Sequence, residues 1–278
     1  MDDSPEIGHF LNAGGIRTNY HDQGKSTSEP PITFIHGSGP GVTSFANWRL
    51  VFPAVAEHYR VLGPDMIGFG FTERPEGIEY SLDLWVKHFL DFLDALEIEK
   101  THLVGNSFGG ALSIALAIRA PERFERIVLM GAAGTSFKLT PGLDFTWGYT
   151  PSFDNMKKML DLFAYDRSLV NDELAQLRYE ASIRPGIQEA YSAMFPAPRQ
   201  NGVDALASAE EDIKNIAHET LIIHGREDKI IPLSASIKLS ELMLNSQLHV
   251  FGKCGHWTQI EHNRRFTELI LNFFNEHA

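Results

Sequence analysis

The amino-acid sequence predicts an α/β protein, a mostly parallel central sheet flanked by helices, with a helical cap inserted into it. Three observations predict this class. Short β-branched runs alternate with longer amphipathic stretches, the pattern of strand–helix–strand units. The alternation stops between Ser136 and about Asp212 and then resumes. The chain has 278 residues, and one of this size buries roughly 75% of its unfolded surface. A single core of that extent stands without disulfide or metal.

Strands are expected at Ile32–His36, Arg60–Gly63, His102–Gly105, Arg126–Met130, Thr220–His224 and Gln247–Phe251. Helices are expected at Leu82–Leu96, Phe108–Arg119, Ser234–Leu244 and Asn263–Asn275, where apolar residues recur at three- and four-residue steps. Between Ser136 and Asp212 the clearest helices are Asp154–Phe163, Asn171–Ile183 and Gly186–Met194. A plain loop of that length is foreign to a compact domain. The stretch also carries Phe145, Trp147, Phe153, Phe163 and Phe195, which need something to pack on. The expected division is a core of residues 1–135 and 213–278 with a cap of residues 136–212.

Composition narrows the function classes. Hydrophobic residues make up 43% and charged residues 22%, as in ordinary globular proteins. A net charge of −12 repels phosphate backbones, so nucleic acid is an improbable partner. A small anionic substrate remains compatible, because one local arginine outweighs a distant diffuse field. Cys254 is the single cysteine, which rules out an intrachain disulfide and fits a reducing cytoplasm. The N-terminus lacks the basic start and apolar stretch of a signal peptide, and no segment approaches the ~18–20 apolar residues of a membrane span. A cytoplasmic protein without membrane contact is expected.

The most informative segment is His102-Leu-Val-Gly105-Asn106-Ser107-Phe108-Gly109-Gly110. An apolar strand ends in Gly-x-Ser-x-Gly and a helical run follows at once, which is the context of a nucleophile elbow. The glycines keep bulk away from a sharp turn. Ser107 then stands at a helix N-terminus, where N–H groups favour developing negative charge. The Phe108 N–H is the natural donor to an oxyanion. The competing reading is a glycine-rich turn with an ordinary N-capping serine.

A serine hydroxyl needs a base, and the base needs a third group to hold it. Downstream, Thr220–Arg226 runs into Glu227-Asp228, and Leu248–Cys254 runs into Gly255-His256-Trp257. Both turns follow strands, where ligands bind in open α/β sheets, and their order is Ser, acid, His. Of twelve histidines, His36, His102, His224 and His249 fall in or beside strands. His9, His58, His88, His218 and His277 read as surface residues. His256 alone lies on a loop after the last strand, behind a glycine. Asp228 is preferred to Glu227 because Ile230, Ile231 and Pro232 close the turn beyond it. Histidine and cysteine spacings indicate no metal, no cofactor motif is found, and Cys254 reads as a packed thiol.

His36-Gly-Ser38-Gly-Pro40-Gly41 is no dinucleotide fingerprint, because Val42 occupies the third glycine position and Pro40 interrupts the turn. It reads better as the second half of an oxyanion hole, with the Ser38 N–H facing Ser107. A plain turn serine is the alternative.

These segments, with Asn47-Trp48, Gly63-Pro-Asp-Met-Ile-Gly-Phe-Gly70, His224-Gly-Arg-Glu-Asp228 and Gly255-His-Trp257, resemble the meta-cleavage product hydrolases of aromatic degradation. The cap segments Ala181-Ser-Ile-Arg-Pro-Gly186 and Met194-Phe-Pro-Ala-Pro-Arg199 extend the resemblance through nearly the whole chain. The chain is similar in particular to 2-hydroxymuconic semialdehyde hydrolases and hydrolases of alkylbenzene ring-fission products. The resemblance implies the α/β-hydrolase fold and hydrolysis of a carbon–carbon bond in a 2-hydroxy-6-oxo-2,4-dienoate. It implies a triad of Ser107, Asp228 and His256, and oxyanion N–H groups from Ser38 and Phe108. Asn47, Asn106, Arg184 and Trp257 would hold the carboxylate and oxygen end of the dienoate. Ala133, Leu143, Trp147 and Ile230 are expected in the apolar pocket around the C6 substituent, with core packing as the alternative. The family also implies a homo-oligomer, a dimer or larger. Arg184 has a second reading, a cap arginine in a surface salt bridge. Rivals for the whole are a carboxylesterase with the same triad and a receptor of this fold that barely turns over. Dehalogenases and epoxide hydrolases of the fold place Asp where this chain has Ser107.

Overall fold

The computed structural model describes residues 4–25 and 29–275. Eight strands form one sheet: β1 His9–Ala13, β2 Ile16–Gln23, β3 Ile32–Ile35, β4 Val61–Pro64, β5 Thr101–Asn106, β6 Phe124–Met130, β7 Glu219–Gly225 and β8 Ser246–Phe251. Their order is β1-β2-β4-β3-β5-β6-β7-β8. From β4 to β8 all neighbours are parallel, whereas β1–β2 and β2–β4 are antiparallel.

Six strands lie where periodicity predicts them. The hairpin β1–β2 is an addition, because β2 (Ile-Arg-Thr-Asn-Tyr-His-Asp-Gln) is too polar to announce itself. Its turn was legible. Gly14 and Gly15 separate the paired Ala13 and Ile16 and take φ of 60° and 95°, which a two-residue hairpin turn of type I′ demands.

Helices fill both faces. Before β6 they are α1 Ser44–Trp48, α2 Phe52–Ala56, α3 Leu82–Ala95 and α4 Phe108–Arg119. After β6 come α5 Pro141–Trp147, α6 Phe153–Phe163, α7 Asp172–Ser182, α8 Ile187–Met194, α9 Gln200–Leu206 and α10 Glu210–Lys214. The last three are α11 Leu233–Leu242, α12 Thr258–Glu261 and α13 Asn263–Asn275. Helix α3 starts where the Ser81 hydroxyl accepts from the Leu84 N–H and buries Trp85, Val86, Phe89, Phe92 and Leu93 on one side. Each such side chain contributes about 1.5–3 kcal/mol by leaving water.

Because side chains alternate along a strand, the sheet splits the core in two. Leu103, Ile127 and Leu129 join the cluster that holds α3, α4 and the helices after β6. Val104, Val128 and Met130 join the cluster with Phe52, Phe266 and Phe273. All six helices from α5 to α10 fall between two adjacent parallel strands, β6 and β7. The excursion therefore begins and ends at neighbouring points of the sheet.

Two histidines expected at the surface need comment. His88 is buried, with Nε2 2.8 Å from Thr18 Oγ1 and Nδ1 accepting from the Ile67 N–H at 3.3 Å. It lies on the inner face of α3, and burial pushes its pKa down to about 4. His277 lies outside the described residues. No helix among the described residues is long and apolar enough to cross a membrane.

Candidate active site

Four strand ends build one site because parallel strands deliver their following loops to the same rim. Ser107 links β5 to α4 with φ 54° and ψ −110°, a conformation that costs a non-glycine residue of order 1–3 kcal/mol. The neighbouring glycines permit it. A Cβ on Gly105 would stand 2.3 Å from the Gly109 carbonyl oxygen, and one on Gly109 2.4 Å from that of Ile35. Ser107 makes no capping hydrogen bond with its side chain, which removes the ordinary N-cap reading. Its backbone is pinned instead: its N–H donates to Met130 at 2.9 Å and its carbonyl accepts from Ala133 at 3.1 Å.

The loop after β7 brings in Asp228 and the loop after β8 brings in His256. His256 Nδ1 lies 2.7 Å from Asp228 Oδ2. Asp228 Oδ1 accepts from the Ile230 and Ile231 N–H groups at 2.7 and 3.0 Å. Both carboxylate oxygens are thereby engaged, and a carboxylate facing Nδ1 favours the tautomer that carries its proton there and its lone pair on Nε2. The two side chains are 5% and 1% exposed, which keeps the pair out of water. The residues closing the turn donate to Asp228, as the preference for it over Glu227 requires. Glu227 accepts from the Cys254 N–H at 2.9 Å and does not face His256.

Gly131 allows the approach. A Cβ there would lie 3.2 Å from the His256 ring and 3.3 Å from Asp228 Oδ2, on a backbone with φ of 50°. The loop after β3 closes the other side. A Cβ on Gly37 would sit 3.6 Å from Ser107 Cβ, so Ser38 follows directly beside the serine. The Phe108 N–H is the first of α4, a position without an intrahelical acceptor. His36, behind the loop, donates from Nδ1 to the Gly37 carbonyl at 2.7 Å and accepts at Nε2 from the Met66 N–H. Burial lowers its pKa to about 4, so it stays neutral and structural. Cys254 is a packed thiol whose pKa burial raises to about 12.

A cavity of about 270 Å³ opens over Ser107 and His256. Of the expected binding residues, Asn47, Asn106, Trp257, Leu143 and Ile230 line it with Ser38. Ala133 and Trp147 do not. Ala133 is spent on the Ser107 backbone, and Trp147 stacks on Phe195 at 4.4 Å while its indole N–H donates to Ser38 Oγ at 3.0 Å. That bond fixes the Ser38 side chain and takes up an acceptor site of its hydroxyl.

Arg184 also stands off the cavity wall. It donates to the carbonyls of Ala181 at 3.1 Å and Gly41 at 3.3 Å, and its guanidinium lies 4.0 Å from the Phe71 ring centre. The salt-bridge reading fails, because Arg184 pairs with no carboxylate among the described residues. The cations that line the cavity are Arg49 and Arg178, and Arg178 is already paired with Glu6. Sequence reasoning missed both. It also missed the apolar roof, which α6 supplies through Met156, Met159, Leu160 and Phe163. Their three- and four-residue spacing marks one helix face and was readable.

Comparison with known proteins agrees with this geometry. A family model described as the alpha/beta hydrolase fold matches residues 30–263. The 2-hydroxy-6-oxo-2,4-heptadienoate hydrolase of Pseudomonas putida is 61% identical over 268 residues, 96% of either chain. A 2-hydroxymuconate semialdehyde hydrolase from a Pseudomonas species is 61% identical over 273 residues, covering 98% of this chain and 95% of its own. The chain belongs to the meta-cleavage product hydrolases, within the α/β hydrolase fold family. In three dimensions it matches the meta-cleavage product hydrolase from Pseudomonas fluorescens, solved as a mutant complexed with acetates. The TM-score is 0.97 at 61% identity, over 99% of this chain and 100% of that one. In this hydrolase Ser107, Asp228 and His256 stand on one rim of the sheet.

Proposed function

We propose that the protein hydrolyses the C5–C6 bond of a 2-hydroxy-6-oxo-2,4-dienoate to 2-hydroxypenta-2,4-dienoate and a carboxylic acid, or formate from a semialdehyde. The observation that carries this reading is the 2.7 Å contact of His256 with Asp228 in one cavity with a strained, uncapped Ser107. The names of the relatives supply the substrate class.

In this reading His256 moves the proton of the 2-hydroxyl toward C5, giving the 2-keto form. Ser107 passes its proton to His256 as its oxygen adds to C6. The Ser38 and Phe108 N–H groups receive the negative charge on the C6 oxygen. When C5–C6 breaks, its electron pair passes to C5 and through the conjugated chain to the C2 oxygen, which is reprotonated. Water then adds to the acyl-serine with His256 as base, which releases the carboxylic acid and restores the hydroxyl. In the alternative route a water positioned by Ser107 adds to C6 directly and gives its proton to His256. Asn47, Asn106 and Trp257 hold the oxygen-bearing end. Asn47 suits this role, since its Nδ2 is buried without a protein partner.

Arg184 anchors the C1 carboxylate. What supports it is a half-buried guanidinium free of any carboxylate, beside the Ser38–Gly41 loop; reaching the substrate requires it to leave the Gly41 carbonyl. Residues 136–212 act as the cap domain over a core of 1–135 and 213–278, in a cytoplasmic homo-oligomer. Light scattering of the purified protein tests the assembly.

The deciding experiment follows dienoate absorbance. Purified protein should bleach the yellow chromophore over many turnovers and release one carboxylic acid per dienoate consumed. Rapid hydrolysis of neutral esters with no loss of dienoate would favour a carboxylesterase. Stoichiometric binding without turnover would favour a receptor.

A further inference from the structure

The loop that carries His256 is held from outside at three successive residues. The Cys254 N–H donates to Glu227 Oε2 at 2.9 Å, the Gly255 N–H to Glu261 Oε1 at 2.7 Å, and the His256 N–H to the Phe163 carbonyl at 2.7 Å. The last acceptor is the end of α6, the helix that roofs the cavity. Glu261 reaches the same place with its second oxygen. Its Oε2 accepts from the N–H groups of Tyr165 and Asp166, each at 2.8 Å.

One half-buried carboxylate thus takes three backbone N–H groups from two distant segments, and it forms no ion pair among the described residues. Hydrogen bonds to a charged acceptor are roughly twice as strong as neutral ones. The two segments are also in direct contact. A Cβ on Gly255 would lie 2.4 Å from the Phe163 oxygen and 2.9 Å from the Tyr165 nitrogen. Residue 255 has to be glycine for the chain after α6 to lie on it.

We propose that Glu261 is a positioning residue that ties the placement of His256 to the end of α6, so that the roof of the cavity and the base move as one piece. The inference rests on His256 being the base, and it goes beyond the substrate reading. Glu261 stands off the cavity wall, and its carboxylate accepts from backbone N–H groups rather than from the imidazole. It acts through the backbone on either side.

Glu261→Gln tests it, because the amide turns one acceptor oxygen into a donor that faces N–H groups. Turnover is measured on the dienoate and on 4-nitrophenyl acetate, with amide exchange and the melting midpoint followed in parallel. Misplacing a reacting group by about 1 Å costs on the order of a hundredfold. The folded variant should accordingly lose about ten- to a hundredfold in kcat on both substrates, with each KM within about twofold.

Exchange at Gly255 should rise together with exchange at Tyr165 and Asp166. Glu227→Gln loosens the Cys254 N–H and the Arg226 guanidinium that shares the carboxylate, and should raise exchange in the His256 loop with no rise at Tyr165 and Asp166. Gly255→Ala pries the same contact from the other side, should reproduce the Glu261→Gln pattern, and decides the matter if Glu261→Gln does not fold. A folded variant with kcat within about twofold of wild type, or exchange rising in only one segment, overturns the proposal. Loss on the ester in a protein that never consumes dienoate would sink the substrate reading and leave this one standing.

Discussion

The rim of the sheet and the roof of the cavity face each other across the same space and are built by opposite means. On the rim every reacting group is set by backbone hydrogen bonds: Ser107 by Met130 and Ala133, Asp228 by Ile230 and Ile231, and the His256 loop by Glu227, Glu261 and Phe163. These bonds are directional and come from strand ends, loops and two helices, which leaves the site little freedom. The roof is a helix face of Met156, Met159, Leu160 and Phe163, held by packing, which is non-directional and tolerates exchange of similar volumes. Damage to the rim should therefore appear as lost rate. Damage to the roof should appear as altered stability and substrate preference.

The largest expected effect short of removing the nucleophile comes from the rim. Asp228→Asn keeps the shape but lets the imidazole adopt the wrong tautomer, and kcat should fall by about 10⁴ with the fold intact by circular dichroism. Arg184→Gln is next. Hydrogen bonds to charged groups are worth about 1.5–3 kcal/mol, so kcat/KM for the dienoate should drop about ten- to a hundredfold. A neutral ester should be hydrolysed at close to the wild-type rate, and equal losses on both would remove Arg184 from carboxylate binding.

Met159→Ala probes the roof. It should cost about 2–5 kcal/mol in denaturant unfolding and shift the preference among C6 substituents, while kcat on the best substrate changes less than about tenfold. A loss of rate as large as that of Asp228→Asn would erase the distinction between rim and roof.

The smallest effect is on pH. Burial holds His36, His88 and His102 at about 4 in the folded protein, below their ordinary 6.5. Unfolding between those values takes up protons, so this part of the stability is present above 6.5 and is lost as pH falls toward 4. Asp65 opposes it. Its carboxyl is raised by burial from 3.8 to about 7 and releases a proton on unfolding in the same window. Three groups outweigh one, and the melting midpoint should fall from pH 6.5 to pH 4. A flat or rising profile would contradict the assignment of the three histidines as buried and neutral.

How much of this could be read from sequence follows the same division. The rim was legible because a strand–turn–helix with glycines around Ser107, and acid and base turns after later strands, leave few alternatives. Helices α4 and α13 were readable to the residue, α4 because the elbow sets its start and its run of apolar residues is buried throughout, α13 because its apolar residues recur on one face. What escaped depends on tertiary contact. The polar strand β2 is a strand because β4 pairs with it. His88 is buried because Thr18 and Ile67 give it partners. Trp147 reads as a pocket residue until its N–H is seen on Ser38. Arg184 was expected at the cavity, and its bond to Gly41 holds it back.

The most direct test of the account is dienoate turnover by Ser107→Ala, with the carboxylic acid product counted. The account predicts a folded protein that still binds the dienoate but cleaves it about 10⁶-fold more slowly, the loss typical of removing a serine nucleophile. Cleavage near the wild-type rate would mean that the bond is broken by some other group.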